Sequence, residues 1–143
     1  MSLGFSDENP MILLYRLDTW THVACNLTHT RKITKLLEYR NKTEQYLISG
    51  SADGLLCLHD LFTLKTYNSS SHVSGIEDIF AKSNHIYVLQ KNSSVLEYEV
   101  CINVMSFNFK RSISAGYISM IRFPELTTNF SGIGCHIYGL SQI

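Results

Sequence analysis

Apolar positions along the chain fall in short runs rich in Ile, Val, Leu, Tyr and Phe, and clusters of Asn, Ser, Gly and Asp separate them. An amphipathic helix would repeat its apolar residues every three to four positions over several turns, and no such period is sustained here. Short runs between turn-forming residues read as β-strands. The pattern predicts strands at Leu3–Ser6, Met11–Leu17, Trp20–Cys25, Ile33–Tyr39, Tyr46–Ser51, Leu55–Leu61, Lys65–Asn68, Ile76–Ala81, His85–Gln90, Val95–Val100, Val104–Phe109, Ile118–Phe123 and Gly134–Tyr138. The chain is therefore expected to be all-β.

The turns agree with this. Ser51-Ala52-Asp53-Gly54 places an Asp, whose side chain bonds its own backbone, ahead of a Gly free to take positive φ, as a tight hairpin requires. Lys91-Asn92-Ser93-Ser94 and Asp7-Glu8-Asn9-Pro10 hold the same place between other runs, and Pro10, which has no N–H, suits a turn or a strand start. The runs also recur at a fixed stride. Ile33, Ile76 and Ile118 open equivalent strands 43 and 42 residues apart, and His29 and His72 each stand four residues before the first two of them. Ile12–Tyr15 overlays Leu56–His59 at a shift of 44, and Leu55–Leu58 overlays Val95–Tyr98 at a shift of 40. A stride of about 40 to 45 residues holding four strands marks propeller blades.

The segment Leu47–Leu61, LISGSADGLLCLHDL, resembles the core of a WD repeat, the tryptophan-aspartate family of β-propellers, with His59-Asp60 where Trp-Asp is usual. As an order of strands the resemblance covers most of the chain, and the strong motif lies in this one blade. It implies antiparallel four-stranded blades of an incomplete WD-repeat-like β-propeller, with blade remnants over 1–28, blades over 29–71 and 72–112, and a partial blade over 113–143. It also implies a structural relay in which His29 meets the turn residue Asp53 while Ser49 and His59 extend the chain of hydrogen bonds. At the shift of 40, Ser93, Leu89 and Glu99 take the places of Asp53, Ser49 and His59 in the next blade, and at the shift of 44 Asn9, Phe5 and Tyr15 take them in the first. About three blades fall short of the four to eight at which propellers close. The chain is thus expected to be a piece of a longer propeller, or to be completed by another chain or copy, with an apolar blade face exposed at each end.

Composition narrows the role. The 143 residues are 45% apolar and 17% charged, which fits one domain with a real core, and 12 Lys+Arg balance 12 Asp+Glu. Zero net charge removes the surplus expected of a protein that grips the nucleic-acid backbone. No basic-then-apolar leader opens the chain and no apolar run reaches spanning length, so an intracellular setting, cytoplasmic or nuclear, with no membrane span is expected. Cys25, Cys57, Cys101 and Cys135 lie far apart inside apolar stretches, as packed thiols do in a reducing compartment. Cys57 and His59 would share one face of a strand, but structural zinc takes four ligands, usually in close pairs, and neither a metal nor a cofactor is expected. His29, Ser49 and Asp53 are the residue types of a hydrolytic triad; the relay accounts for them without chemistry, and no enzymatic activity is expected.

One surface feature bears on partners. Arg31, Lys32, Lys91, Lys110 and Arg111 would gather on the propeller face formed by the blade entries and second-hairpin turns, with few acids among them. The function expected is a non-catalytic interaction scaffold or adaptor within a multiprotein complex, its partners being other protein subunits or further blades. The alternative is an RNA-associated subunit of an RNA-processing or modifying complex that uses the basic face.

Overall fold

A computed structural model describes residues 2–6, 10–113, 129–132 and 135–139, with side chains over 10–113. The described strands pair antiparallel into three sheets. The first contains β1 (Ser2–Ser6), β2 (Ile12–Tyr15) and β3 (His22–Asn26) together with β12 (Asn129–Gly132) and β13 (Cys135–Gly139), in the order β12-β13-β1-β2-β3. In the second, β4 (Ile33–Arg40), β5 (Gln45–Ser51), β6 (Leu55–Asp60) and β7 (Thr66–Ser71) follow one another in sequence order. The third repeats that arrangement with β8 (Ile76–Lys82), β9 (His85–Gln90), β10 (Val95–Cys101) and β11 (Ser106–Ile113). The all-β expectation holds.

Two differences from the sequence reading have physical causes. The two strands described after residue 113 build no further sheet: β13 pairs with β1, Ser2 opposite Gly139 through Ser6 opposite Cys135, and so occupies the place beside β1 that the first sheet would otherwise leave open. The run expected from Val104 starts later, because Ile102–Val104 winds into a 3₁₀ turn that Met105 closes in the left-handed region, with its N–H on the Ile102 carbonyl. The strand expected at Ile118–Phe123 lies outside the described residues.

The repeat is visible in the backbone itself. Each hairpin between the second and third strands of a full sheet carries one residue at positive φ, Gly54 at 85° and Ser93 at 66°. The side chain just before it accepts the amide two residues on: Asp53 Oδ1 from Leu55 at 2.8 Å, Asn92 Oδ1 from Ser94 at 3.1 Å. Register shifts interrupt the pairing of the third and fourth strands at Tyr15, His59 and Tyr98. The second and third sheets therefore align at a shift of 39 through this hairpin, not 40. Asn92, Val88 and Tyr98 are the counterparts of Asp53, Ser49 and His59, where Ser93, Leu89 and Glu99 were expected. One residue of slip moves every side chain to the opposite face, so this correction decides which groups meet.

The sheets stack face to face in sequence order, with β4 and β5 against β8 and β7 against β11, so like strands lie at like ends. Ile12 and Leu14 of the first sheet pack on Ile33, Leu36 and Leu47 of the second. On its other face the second sheet sets Ile48, Leu56 and Leu58 against Ile76, Ile79, Ile86 and Val88. Each fully buried side chain of this kind stabilises the stack by roughly 1.5–3 kcal/mol relative to exposure. Close approach depends on Gly50, where a Cβ would fall 2.8 Å from both Ile76 Cγ2 and Ile79 Cδ1. Polar ties cross the same seam: Thr34 Oγ1 donates to the Ile76 carbonyl at 2.6 Å, and Lys35 Nζ lies 3.3 Å from Asp78 Oδ1.

Candidate functional site

The second sheet buries a line of polar groups on the face it turns to the first. His29 enters from the loop before β4, Asp53 from the hairpin between β5 and β6, Ser49 from β5, and Cys57 and His59 from β6. Ser49 and His59 have no solvent exposure at all. His29 Nδ1 lies 3.3 Å from Asp53 Oδ2, and its Nε2 lies 2.7 Å from Ser49 Oγ. Ser49 Oγ is also 2.7 Å from His59 Nε2, and His59 Nδ1 is 2.9 Å from Thr66 Oγ1. Thr66 Oγ1 in turn meets Asn26 Nδ2 at 2.9 Å and Thr28 Oγ1 at 3.0 Å, so the line crosses into the first sheet.

The ends of this line fix its direction. Asn26 Nδ2 can only donate, and the Asp53 carboxylate can only accept. With both rings neutral, Asn26 donates to Thr66, Thr66 to His59 Nδ1, His59 Nε2–H to Ser49, Ser49 to His29 Nε2, and His29 Nδ1–H to Asp53. The tautomers are thereby assigned from the network, one proton per ring. Asp53 is further held by the backbone amides of Thr30 and Leu55, each at 2.8 Å.

Electrostatics favour this neutral arrangement. Burial lowers the pKa of His29, with the Asp53 carboxylate acting against it. His59 is pulled down to about 3, by burial first and by the neighbouring His29 charge second. Burial alone would raise Asp53, but the Thr30 and Leu55 amides outweigh it and keep the carboxyl below its ordinary value. The Cys57 thiol is pushed up to about 12 by burial and by the Asp53 charge. A neutral thiol and a serine without solvent contact are poor nucleophiles for a dissolved substrate.

Ligand atoms of His29, Cys57 and His59 all lie within 4.8 Å of one another, and they are the set that could hold a metal. Ser49 Oγ bonds to both His29 and His59, so its hydroxyl stands between them, and an ion would have to displace it and break the line.

The third sheet has the same positions and different groups. His72 Nδ1 donates to the Gly54 carbonyl at 2.9 Å, and the Tyr98 hydroxyl lies 2.7 Å from His72 Nε2. Phe107 and Phe109 meet the Tyr98 ring edge-on at 6.2 and 5.6 Å. Thr66, Asn26 and Tyr98 escaped the sequence reading: the first two act across a sheet boundary, and the third was hidden by the one-residue slip.

The five cations of the expected basic face divide. Arg31 and Lys32 enter β4, and Lys91 sits in the equivalent hairpin of the third sheet. A backbone path connects them: the Lys32 carbonyl accepts from Ala52, Ala52 lies against Gly75, and the Gly75 carbonyl accepts from Lys91. Lys110 and Arg111 are instead on β11, where Lys110 Nζ is 2.6 Å from Glu99 Oε2 and Arg111 Nε bonds to Glu97 Oε2. Those two are neutralised by acids, which corrects the picture of one shared cationic surface. Tyr98 and Val100 point into the core, so Glu97 and Glu99 lie on the opposite face of the third sheet, where Glu97 is buried.

A groove of about 630 Å³ lies at the far end of the second sheet, lined among others by Glu44, Tyr46, Asp60, Phe62, Tyr67 and Met105. Asp60 shapes it by accepting the Phe62 and Thr63 amides at 2.9 and 2.8 Å and the Tyr67 hydroxyl at 3.0 Å. The Tyr46 hydroxyl donates to Glu44, and burial together with that carboxylate pushes its pKa up to about 12. The Tyr46 and Tyr67 rings meet edge-on at 6.2 Å, while Phe62 is half exposed.

These sheets are blades of a β-propeller. Among solved structures the chain is similar to BamB from Moraxella catarrhalis, a β-propeller, with a TM-score of 0.60 at 11% identity, over 78% of this chain and 32% of that one. The chain thus spans about a third of the length of the solved structure it matches. No family model matches the chain, and no curated protein does.

Proposed function

We propose that the chain is a WD-repeat-like propeller scaffold that binds a segment of a protein partner and performs no catalysis of its own. The observation that carries this reading is the groove beside β5 to β7. Phe62 and Tyr67 present exposed ring surface, held by Asp60 through the Phe62 and Thr63 amides and the Tyr67 hydroxyl, the kind of rigid aromatic anchor on which protein contacts concentrate. The full burial of Ser49 and His59 supports the absence of chemistry, and the free thiols Cys25, Cys57 and Cys101 suit an intracellular, reducing setting. Pairing of Lys110 and Arg111 with acids weighs against the RNA-associated alternative.

The test is affinity purification of the tagged chain against the Phe62→Ser/Tyr67→Ser double variant. The expected result is a stoichiometric protein partner that the variant loses while its thermal melt stays close to the parent. Retention of every partner by the variant, or retention of RNA instead of protein, would overturn the proposal.

A further inference from the structure

The groove beside β5 to β7 has a chemistry that narrows what enters it. Tyr46 of β5 and Asp60 of β6 stand directly opposite each other across the strand pair, so both side chains leave the same face of the sheet. The register shift between β6 and β7 skips Tyr67, with Leu58 paired to Asn68 and His59 to Thr66, and an extra residue of this kind re-aims its side chain. Tyr67 thereby reaches Asp60 Oδ2 with its hydroxyl at 3.0 Å and meets the Tyr46 ring edge-on at 6.2 Å. Glu44 completes the group from the turn between β4 and β5. That turn is closed by the Asn41 amide on the Glu44 carbonyl at 2.9 Å and the Glu44 amide on the Asn41 carbonyl at 3.3 Å.

Both phenol protons of this group are already donated to carboxylates, Tyr46 to Glu44 and Tyr67 to Asp60. What Glu44, Tyr46, Asp60 and Tyr67 turn to the groove is therefore oxygen lone pairs and no hydrogen, since a carboxylate and a phenol that has donated can only accept. The charge is negative as well. Burial would raise the Asp60 carboxyl, but the Thr63 amide and the Tyr67 hydroxyl outweigh it and keep it ionised. The Tyr67 hydroxyl is raised by its bond to Asp60, then by burial and by the charges of Asp60 and Glu44, so both carboxylates act on it. Of the cations that line the groove, Arg40 gives its Nε to Glu38 at 2.9 Å, and Lys42 is exposed on the turn before β5.

We propose that this groove takes an arginine side chain of the partner segment, its guanidinium laid against the exposed rings of Phe62 and Tyr67 and its N–H groups on Glu44 and Asp60. The assignment rests on the scaffold reading and adds the chemistry of the residue that is held. An acidic or carbonyl-bearing group would meet only acceptors of its own kind. A quaternary ammonium suits aromatic rings but brings no N–H to the carboxylates. A lysine ammonium has donors, yet it is compact, strongly hydrated and lacks a flat face. The guanidinium combines a plane that stacks on aromatic rings with five donors in a fixed fork, which matches two ring surfaces beside two carboxylates.

The experiment titrates N-acetyl-arginine amide into the purified, isotope-labelled chain and follows it by two-dimensional NMR. The expected result is a set of saturable shifts around Glu44, Asp60, Phe62 and Tyr67, with a dissociation constant on the order of millimolar, as suits one anchoring side chain. N-acetyl-citrulline amide, which keeps the shape and loses the charge, should bind about tenfold more weakly or worse. Glu44→Gln and Phe62→Ser, both at exposed positions where the fold is not at stake, should each weaken the arginine probe about threefold. Equal binding of the arginine and citrulline amides, tighter binding of tetramethylammonium or of N-acetyl-lysine amide, shifts unaffected by both variants, or no shifts at roughly 20 mM probe would each overturn the proposal. The affinity purification reports on the scaffold reading separately. A captured partner that the Phe62→Ser/Tyr67→Ser variant loses, together with a silent arginine titration, removes the arginine alone, whereas a probe that binds where no partner is captured removes the scaffold alone.

Discussion

Where the second blade holds Ser49 and His59, the third holds Val88 and Tyr98, and the backbone around both pairs has the same turn and the same register shift. The second blade fills the space with a directed line of five hydrogen bonds that runs from Asn26 to Asp53. The third fills it with one tyrosine on His72 and two phenylalanine edges. Blade shape is therefore set by strand pairing and core volume, while the polar line is a local solution to a histidine that must be buried. The two solutions differ in their chemistry: the line requires two neutral imidazoles, and the cluster rests on one tyrosine hydroxyl and aromatic edges.

The largest consequence is acid sensitivity at the heart of the second blade. His59 has a pKa of about 3 in the folded chain against 6.5 when unfolded, so between those values the unfolded chain binds the extra proton. The stability it contributes is complete above about pH 6.5 and is lost as pH falls toward 3, on the order of 5 kcal/mol over the full window. His29 shifts in the same direction, and Asp53, whose carboxyl sits below its ordinary value, adds a further loss at the acid end. Ser49→Val/His59→Tyr, which gives the second blade the residues of the third, should flatten the slope of unfolding free energy between pH 4 and 6.5. Urea melts across that range check it; an unchanged slope would show that the acid sensitivity arises elsewhere.

Next in size is the contrast between the two turn residues. Asp53→Ala removes the acceptor of the Thr30 and Leu55 amides and of His29, and should cost about 2–3 kcal/mol. Asn92→Ala loses its bonds from the Ser94 amide and hydroxyl at an exposed turn, and should cost about 1 kcal/mol or less. Equal losses in chemical denaturation would erase the distinction between the blades. The smallest effect concerns the turn itself. Ser93 sits at a φ of 66° where the second blade uses glycine, so Ser93→Gly should stabilise by about 0.5–1 kcal/mol. Gly54 tolerates no such exchange in reverse, because a Cβ there would lie 2.6 Å from the His72 carbonyl.

Much of the architecture was legible in the chain. Alternating apolar runs and the Ser51–Gly54 and Lys91–Ser94 turns locate the strands of the second and third sheets to within a few residues. The stride shared by Ile33 and Ile76 is real, since both open strands interrupted at the same point by a register shift. What failed did so for nameable reasons. A one-residue slip hid Tyr98, because the hairpin holding Gly54 and Ser93 aligns on positive φ and not on residue type. Met105 delayed β11 through a left-handed turn that leaves no strong mark in composition. The return of β13 to β1 joins opposite ends of the chain, and local patterning carries no information about such a pairing. For the candidate site, His29, Ser49, Asp53 and His59 were visible as a group, but Thr66 and Asn26 complete the line from another strand and another sheet. Lys110 and Arg111 read as free cations until β10 and β11 were placed side by side, which set Glu99 and Glu97 against them.

The central claim is a one-way line of neutral groups at the heart of the second blade, and long-range proton–nitrogen NMR of the two imidazoles tests it most directly. His29 should carry its proton on Nδ1 and His59 on Nε2 at pH 7, with His59 staying neutral down to about pH 4. Two rings that exchange tautomers freely and titrate together near pH 6.5 would contradict it.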